Sequence, residues 1–128
     1  MQQLINAKGL SRRVFLRGVT NDIAKEMIDS SALLLSSRWE GMPMVVLEAF
    51  ECGLPVVAYD INAIVPLVDD GIEGRVVPSF DTNKFAKAMI EIAHNDNKRK
   101  ELGIHAAKKA SHFSPNEIVR KWEEIIND

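Results

Sequence analysis

Short apolar runs with no alternation between apolar and polar residues constrain the fold of this chain more than any other feature. The runs cover residues 14–16, 32–35, 55–59 and, with one arginine, 74–78. A strand that is apolar on both sides must be covered on both faces, which is typical of a parallel sheet flanked by helices. The sequence therefore predicts an α/β fold with a Rossmann-like parallel sheet, in which these four runs are the strands.

Helix signals separate the runs and fill the second half of the chain. Asn21 or Asp22 can cap one helix, and Pro43 suits the first position of another because its missing N–H needs no partner there. Asp81 is the predicted cap of a later helix, and Ser114 opens a capping box, Ser-Pro-Asn-Glu, before a last helix. The chain begins with a helix tail rather than a strand, so we expect that it starts inside a larger fold.

Composition sets limits on the class of protein. The 128 residues suit one domain, and the formal net charge of −2 argues against a dedicated nucleic-acid binder. A single cysteine excludes a disulfide framework, and charged residues or prolines interrupt every apolar stretch that could cross a membrane. We therefore expect a cytoplasmic location.

Residues 36–60 carry the chemistry. Glu40 lies in a predicted strand-to-helix loop, and Glu48 follows eight residues later among apolar helical residues, where a carboxylate is unusual. The helix that starts near Pro43 and Met44 directs free N–H groups and a positive dipole end toward the ligand-binding edge of the sheet. A carboxylate can accept two parallel O–H bonds, which suits a sugar diol. A buried ion pair of Glu48 with an unidentified cation is the alternative.

The segment Glu40-Gly41-x6-Glu48-Ala49, followed by Gly53-x-Pro-Val-Val-Ala, resembles the Glu-x7-Glu signature of retaining GT-B glycosyltransferases of the group 1 type. Two flanking segments, at residues 14–18 and 70–78, resemble the same family. The likeness covers residues 1–128 as a single domain, the C-terminal donor-binding half of the fold. It implies that the N-terminal acceptor domain and the first strands of this half lie outside the sequence.

The resemblance also implies roles for individual residues. Glu40 would contact the transferred sugar near the reaction centre as the catalytic carboxylate, and Glu48 would bind the ribose. The loop and helix start would face the diphosphate and the sugar, and backbone near two further residues would meet the base. These substrate-binding positions are Gly41, Met42, Pro43, Met44, Val45, Arg17 and Val19. The family needs no metal or other cofactor, since the helix dipole and cations balance the diphosphate charge.

The implied activity is transfer of a hexose from a nucleotide-diphosphate sugar, with retention of configuration, in bacterial surface polysaccharide or lipopolysaccharide synthesis. The implied acceptor is a carbohydrate or lipid-linked hydroxyl held by the N-terminal domain, without which the chain alone should be inactive. The alternatives are a nucleotide-sugar isomerase or epimerase of the same architecture and a non-catalytic sugar-nucleotide-binding module. We also consider peripheral attachment of the full-length enzyme to the inner face of the membrane, and self-association of this chain through an open sheet edge at residues 14–16.

Overall fold

The computed structural model describes residues 1–127 as an α/β domain built on a parallel sheet. The sheet contains β1 (Leu33–Leu35), β2 (Val56–Tyr59) and β3 (Gly74–Val77) in the order β1-β2-β3. Leu33 pairs with Val56, and Val56 pairs with Gly74. The predicted parallel α/β fold is confirmed.

The described residues also form six α-helices. They are α1 (Gln2–Ala7), α2 (Ile23–Ile28), α3 (Met44–Glu51), α4 (Thr82–His94), α5 (Asp96–Ala110) and α6 (Pro115–Asn127), with a 3₁₀ turn at Ser111–Phe113. The predicted caps are confirmed: Asp22 accepts a hydrogen bond from the amide of Lys25, and Asp81 accepts one from Lys84. No helix within residues 1–127 is both long and apolar enough to span a membrane.

The central strand β2 is covered on both faces, and all four of its residues are buried. Val56 and Ala58 belong to a core cluster with Phe50 of α3. Val57 and Tyr59 belong to a second cluster with apolar residues of α4. The run of apolar residues in this strand is unbroken because helices cover both faces of the strand, as the sequence predicted.

The predicted strand at residues 14–16 is wrong. Within residues 1–127 this segment joins no ladder, the amide of Val14 bonds back to Leu10, and Phe15 is 66% exposed. A strand needs a hydrogen-bonded neighbour, and none of the three strands is placed beside it. The two edges of the sheet are instead β1 and β3, and Leu34 of β1 is 45% exposed.

Candidate functional site

A cavity of about 300 Å³ opens at the carboxyl ends of the three strands. It is lined by residues 38–40 after β1, 60–63 after β2, and 79–80 after β3. Parallel strands end at one edge, so three loops that are distant in sequence meet there. This is the edge at which open α/β sheets bind ligands.

Glu40 is the one predicted site residue that lines this cavity. Its side chain is half-buried and accepts a hydrogen bond from the Ser37 hydroxyl at 2.6 Å. That bond fixes one carboxylate oxygen and leaves acceptor capacity on the other. The arrangement suits a carboxylate that holds a ligand hydroxyl in a defined position.

The start of α3 differs from the prediction by one residue. Pro43 precedes the helix with φ −78° and ψ 79°, and the amide of Met44 donates to the carbonyl of Met42 at 2.9 Å. These are the features of an inverse γ-turn, which places Pro43 outside the helix. The turn uses the Met44 amide, whereas the Val45 amide has no protein acceptor among residues 1–127. Val45 is thus the first α3 amide available to an anion.

Glu48 is exposed, so both the expectation of a carboxylate in apolar surroundings and its alternative, a buried ion pair, are wrong. Met44, Glu48 and Glu51 are spaced at i, i+4 and i+7, which puts them on one face of α3. All three are exposed, while Val46, Ala49 and Phe50 on the opposite side are fully buried. In the described residues no cation pairs with the Glu48 carboxylate, which is free to accept from a ligand.

The remaining predicted residues lie outside the cavity. Gly41 and Met42 are exposed in the loop before α3. Arg17 forms an ion pair with Glu26 of α2 at 3.4 Å, and Val19 is 97% exposed. The structure therefore brings Glu40 to the cavity, puts the α3 residues beside the loop that carries it, and leaves Arg17 and Val19 on an irregular surface segment.

Sequence reasoning missed the contributions of the loops after β2 and β3. Asp60 accepts hydrogen bonds from the backbone amide and the hydroxyl of Ser79, at 2.5 and 2.7 Å. Phe80 follows with a left-handed φ of 66°. The only signal in the sequence was the position of Asp60 directly after an apolar strand. Among residues 1–127, no group of three or more His, Cys, Asp or Glu side chains is placed to hold a metal ion.

A parallel sheet covered by helices, with its cavity at the carboxyl ends of the strands, defines a doubly wound α/β domain, the class to which the domains of GT-B glycosyltransferases belong. Residues 1–109 match the family of glycosyl transferases group 1, so the chain belongs to this family. It corresponds to the C-terminal, donor-binding domain of the GT-B fold.

Known relatives of the chain are larger proteins. It is 31% identical over its whole length to an exopolysaccharide phosphotransferase of Streptomyces coelicolor, of which it covers 14%. It is 28% identical, over 98% of its length, to the poly(ribitol-phosphate) alpha-N-acetylglucosaminyltransferase of Staphylococcus aureus, of which it covers 26%. The chain therefore spans about a quarter or less of these relatives.

Among solved structures, the chain is similar to HepE of Anabaena in complex with UDP, with a TM-score of 0.91 and 26% identity. The match covers 98% of this chain and 35% of HepE. HepE has also been solved with UDP-glucose, and that complex matches with a TM-score of 0.87.

Proposed function

We propose that this chain binds the nucleotide-sugar donor of a retaining glycosyltransferase. In the whole protein, a hexose would pass from a nucleoside diphosphate to a hydroxyl of a carbohydrate or lipid-linked acceptor. The similarity to HepE, solved with UDP and with UDP-glucose, supports this class of donor. The similarity to a transferase that acts on poly(ribitol-phosphate) supports a role in making bacterial surface polymers.

The observation that carries the proposal is the availability of the two carboxylates on either side of the α3 start. Glu40 lies half-buried in the cavity wall, and Glu48 is exposed one helical turn beyond Met44. The Val45 amide and the positive end of the helix dipole lie between them in sequence and suit a phosphate. A donor bound along this line would place its ribose at Glu48, its diphosphate at Val45 and its hexose at Glu40.

This arrangement gives each carboxylate a different task. The ribose does not change during transfer, so its bond to Glu48 should be equally strong in the ground state and the transition state. Positive charge develops on the hexose as the diphosphate leaves, and a carboxylate at Glu40 stabilises that charge and orients the ring. We propose that the helix terminus and cations supplied by the rest of the protein take the place of a metal. Activity should therefore survive treatment with EDTA.

Steady-state kinetics of the full-length enzyme, with the donor concentration varied, test these roles. Glu48→Gln should mainly raise the donor KM, by roughly ten- to a hundredfold, because one charge-assisted bond of about 1.5–3 kcal/mol is lost. Glu40→Gln should mainly lower kcat, by about tenfold to a thousandfold. Glu51→Gln is the matched control, since Glu51 lies on the same exposed face of α3.

Unchanged KM and kcat in Glu48→Gln would contradict the ribose role. A pure KM effect in Glu40→Gln would contradict its place at the reacting sugar. Analysis of the product by NMR gives the anomeric configuration and separates sugar transfer from the transfer of a phosphosugar. An inverted configuration or a phosphosugar product would overturn the proposed reaction.

A further inference from the structure

The donor proposal leaves part of the cavity unexplained. Glu40 forms one side of it, but no residue of α3 lines it. The other walls come from the loops after β2 and β3, with Asp60 and Phe80, and from Trp39 beside Glu40. The cavity therefore extends from Glu40 toward residues that a donor lying along α3 does not use.

Phe80 is held in this wall at an energetic cost. Its φ of 66° is in the left-handed region, which is unfavourable for a bulky side chain. The ring is nevertheless 59% exposed, and its closest aromatic neighbour is Tyr59, with ring centroids 5.9 Å apart. Burial of the ring therefore does not compensate the strain. Strained residues of this kind cluster at ligand-binding sites.

Asp60 fixes the same wall and keeps one oxygen free. Both bonds from Ser79 go to Oδ1 of Asp60, which ties the loop after β2 to the loop that carries Phe80. Within residues 1–127, Oδ2 has no hydrogen-bond donor, and the side chain is exposed at the cavity. Trp39 lines the cavity on the side of Glu40 and is 81% exposed. The cavity thus presents a fixed hydrogen-bond acceptor, the Asp60 carboxylate, beside the rings of Phe80 and Trp39.

This combination fits the chemistry of a pyranose ring. The C–H face of a sugar is apolar and packs on an aromatic ring, while its equatorial hydroxyls donate to carboxylates. The volume of about 300 Å³ is at the lower end of small-molecule sites, which span roughly 300–1,000 Å³, and suits one or two rings rather than a nucleotide sugar.

We propose that the part of this cavity beyond Glu40 binds one sugar ring of the acceptor, the rest of which the N-terminal domain would hold, with Phe80 and Trp39 as its apolar walls and Asp60 as its hydroxyl acceptor. The inference rests on the proposed function, in which Glu40 holds the donor hexose. A transferase must hold its two substrates next to each other. Glu40 lines the cavity and no residue of α3 does, so a sugar bound there would lie beside a donor hexose at Glu40. Asp60 and Phe80 would then determine acceptor specificity.

A two-dimensional ¹H–¹⁵N NMR titration of this chain with methyl α-D-glucopyranoside tests the proposal. The chain has two tryptophans, so Trp122 in the exposed face of α6, 61% exposed, is an internal control for Trp39. The Trp39 indole N–H and the amides of Asp60 and Phe80 should shift saturably, while the Trp122 indole N–H should not. The dissociation constant should rise at least tenfold in Phe80→Gly, which removes the ring and suits the positive φ. Trp122→Ala should leave it unchanged.

A second titration, with UDP-glucose present at a concentration that saturates the shifts of the α3 amides, identifies the occupant. Binding of the methyl glucoside should persist. Displacement by UDP-glucose but not by UDP would mean that the donor hexose occupies the cavity and would overturn the proposal. Equal shifts of both indoles, or no effect of Phe80→Gly, would also overturn it. Absence of any UDP-induced shift at α3 would instead refute the donor proposal, and the sugar titration would stand separately.

Discussion

Replacing Gly103 with alanine should destabilise the fold, although alanine is the better helix former. Gly103 lies within α5, where it faces Gly53 just after α3. A Cβ atom at position 103 would lie 2.3 Å from the carbonyl oxygen of Gly53. The obstacle is backbone, so no side chain can rotate away, and α5 would have to move off α3. The position of the helix that carries Glu48 therefore depends on this contact.

Two opposing effects set the size of the change. Alanine gains about 0.8–1 kcal/mol over glycine in a helix interior. Overpacking costs about 1–3 kcal/mol, and a contact with backbone belongs at the upper end of that range. The net loss is about 2 kcal/mol. For a chain of 128 residues this corresponds to a decrease in Tm of roughly 6–10 °C.

Thermal unfolding followed by circular dichroism measures this decrease. His105→Ala is the control, because His105 is exposed on the same helix and the change improves helix propensity without a clash. It should leave Tm unchanged or slightly raised. If Gly103→Ala were as stable as the wild type, the close contact between α5 and the end of α3 would not exist, and the argument that α5 positions α3 would be refuted.

Three further predictions concern the ion pairs, the sheet edge and the activity of the chain. Lys109→Met should lower the free energy of unfolding by about 1–3 kcal/mol in chemical denaturation, since Lys109 contacts Asp69 at 2.8 Å and the buried Glu73 at 3.2 Å. Lys108→Met, at an exposed neighbouring position, should have little effect on the free energy of unfolding. Equal losses of stability in the two variants would contradict a stabilising role for the ion pairs of Lys109. Leu34→Lys should abolish concentration-dependent self-association in light scattering, because it charges the open β1 edge, whereas Leu16→Lys should not. If Leu16→Lys abolished self-association and Leu34→Lys did not, the associating surface would be residues 14–16 instead of β1. The chain alone should bind UDP weakly and transfer no sugar from UDP-glucose, and turnover comparable with that of the full-length enzyme would refute this.

Much of the fold could be predicted from local patterns. The continuous apolar run at residues 55–59 indicated a strand covered on both faces, and Ser114 indicated the start of the last helix, where its hydroxyl accepts from the amide of Glu117. These features depend on neighbours in the sequence. The run at residues 14–16 has the same composition but joins no strand, since pairing depends on a partner that the pattern does not contain.

The candidate site was only partly predictable, for related reasons. The apolar composition around Glu48 suggested unusual surroundings, but the spacing of Met44, Glu48 and Glu51 decides which way the side chain faces. Asp60 and Ser79 are 19 residues apart and meet only because the strands before them are parallel neighbours. The positive φ of Phe80 leaves no mark in the sequence, because bulky residues rarely adopt it.

Isothermal titration calorimetry of this chain with UDP tests the central claim most directly, by comparing the wild type with Glu48→Gln and Glu51→Gln. Both glutamates are exposed on the same face of α3, so the two variants change the charge of the helix equally. If Glu48 binds the ribose, Glu48→Gln should weaken UDP binding by roughly ten- to a hundredfold, while Glu51→Gln stays within about twofold of the wild type. Equal affinities for Glu48→Gln and the wild type, or equal losses in the two variants, would contradict the assignment of Glu48 to the donor.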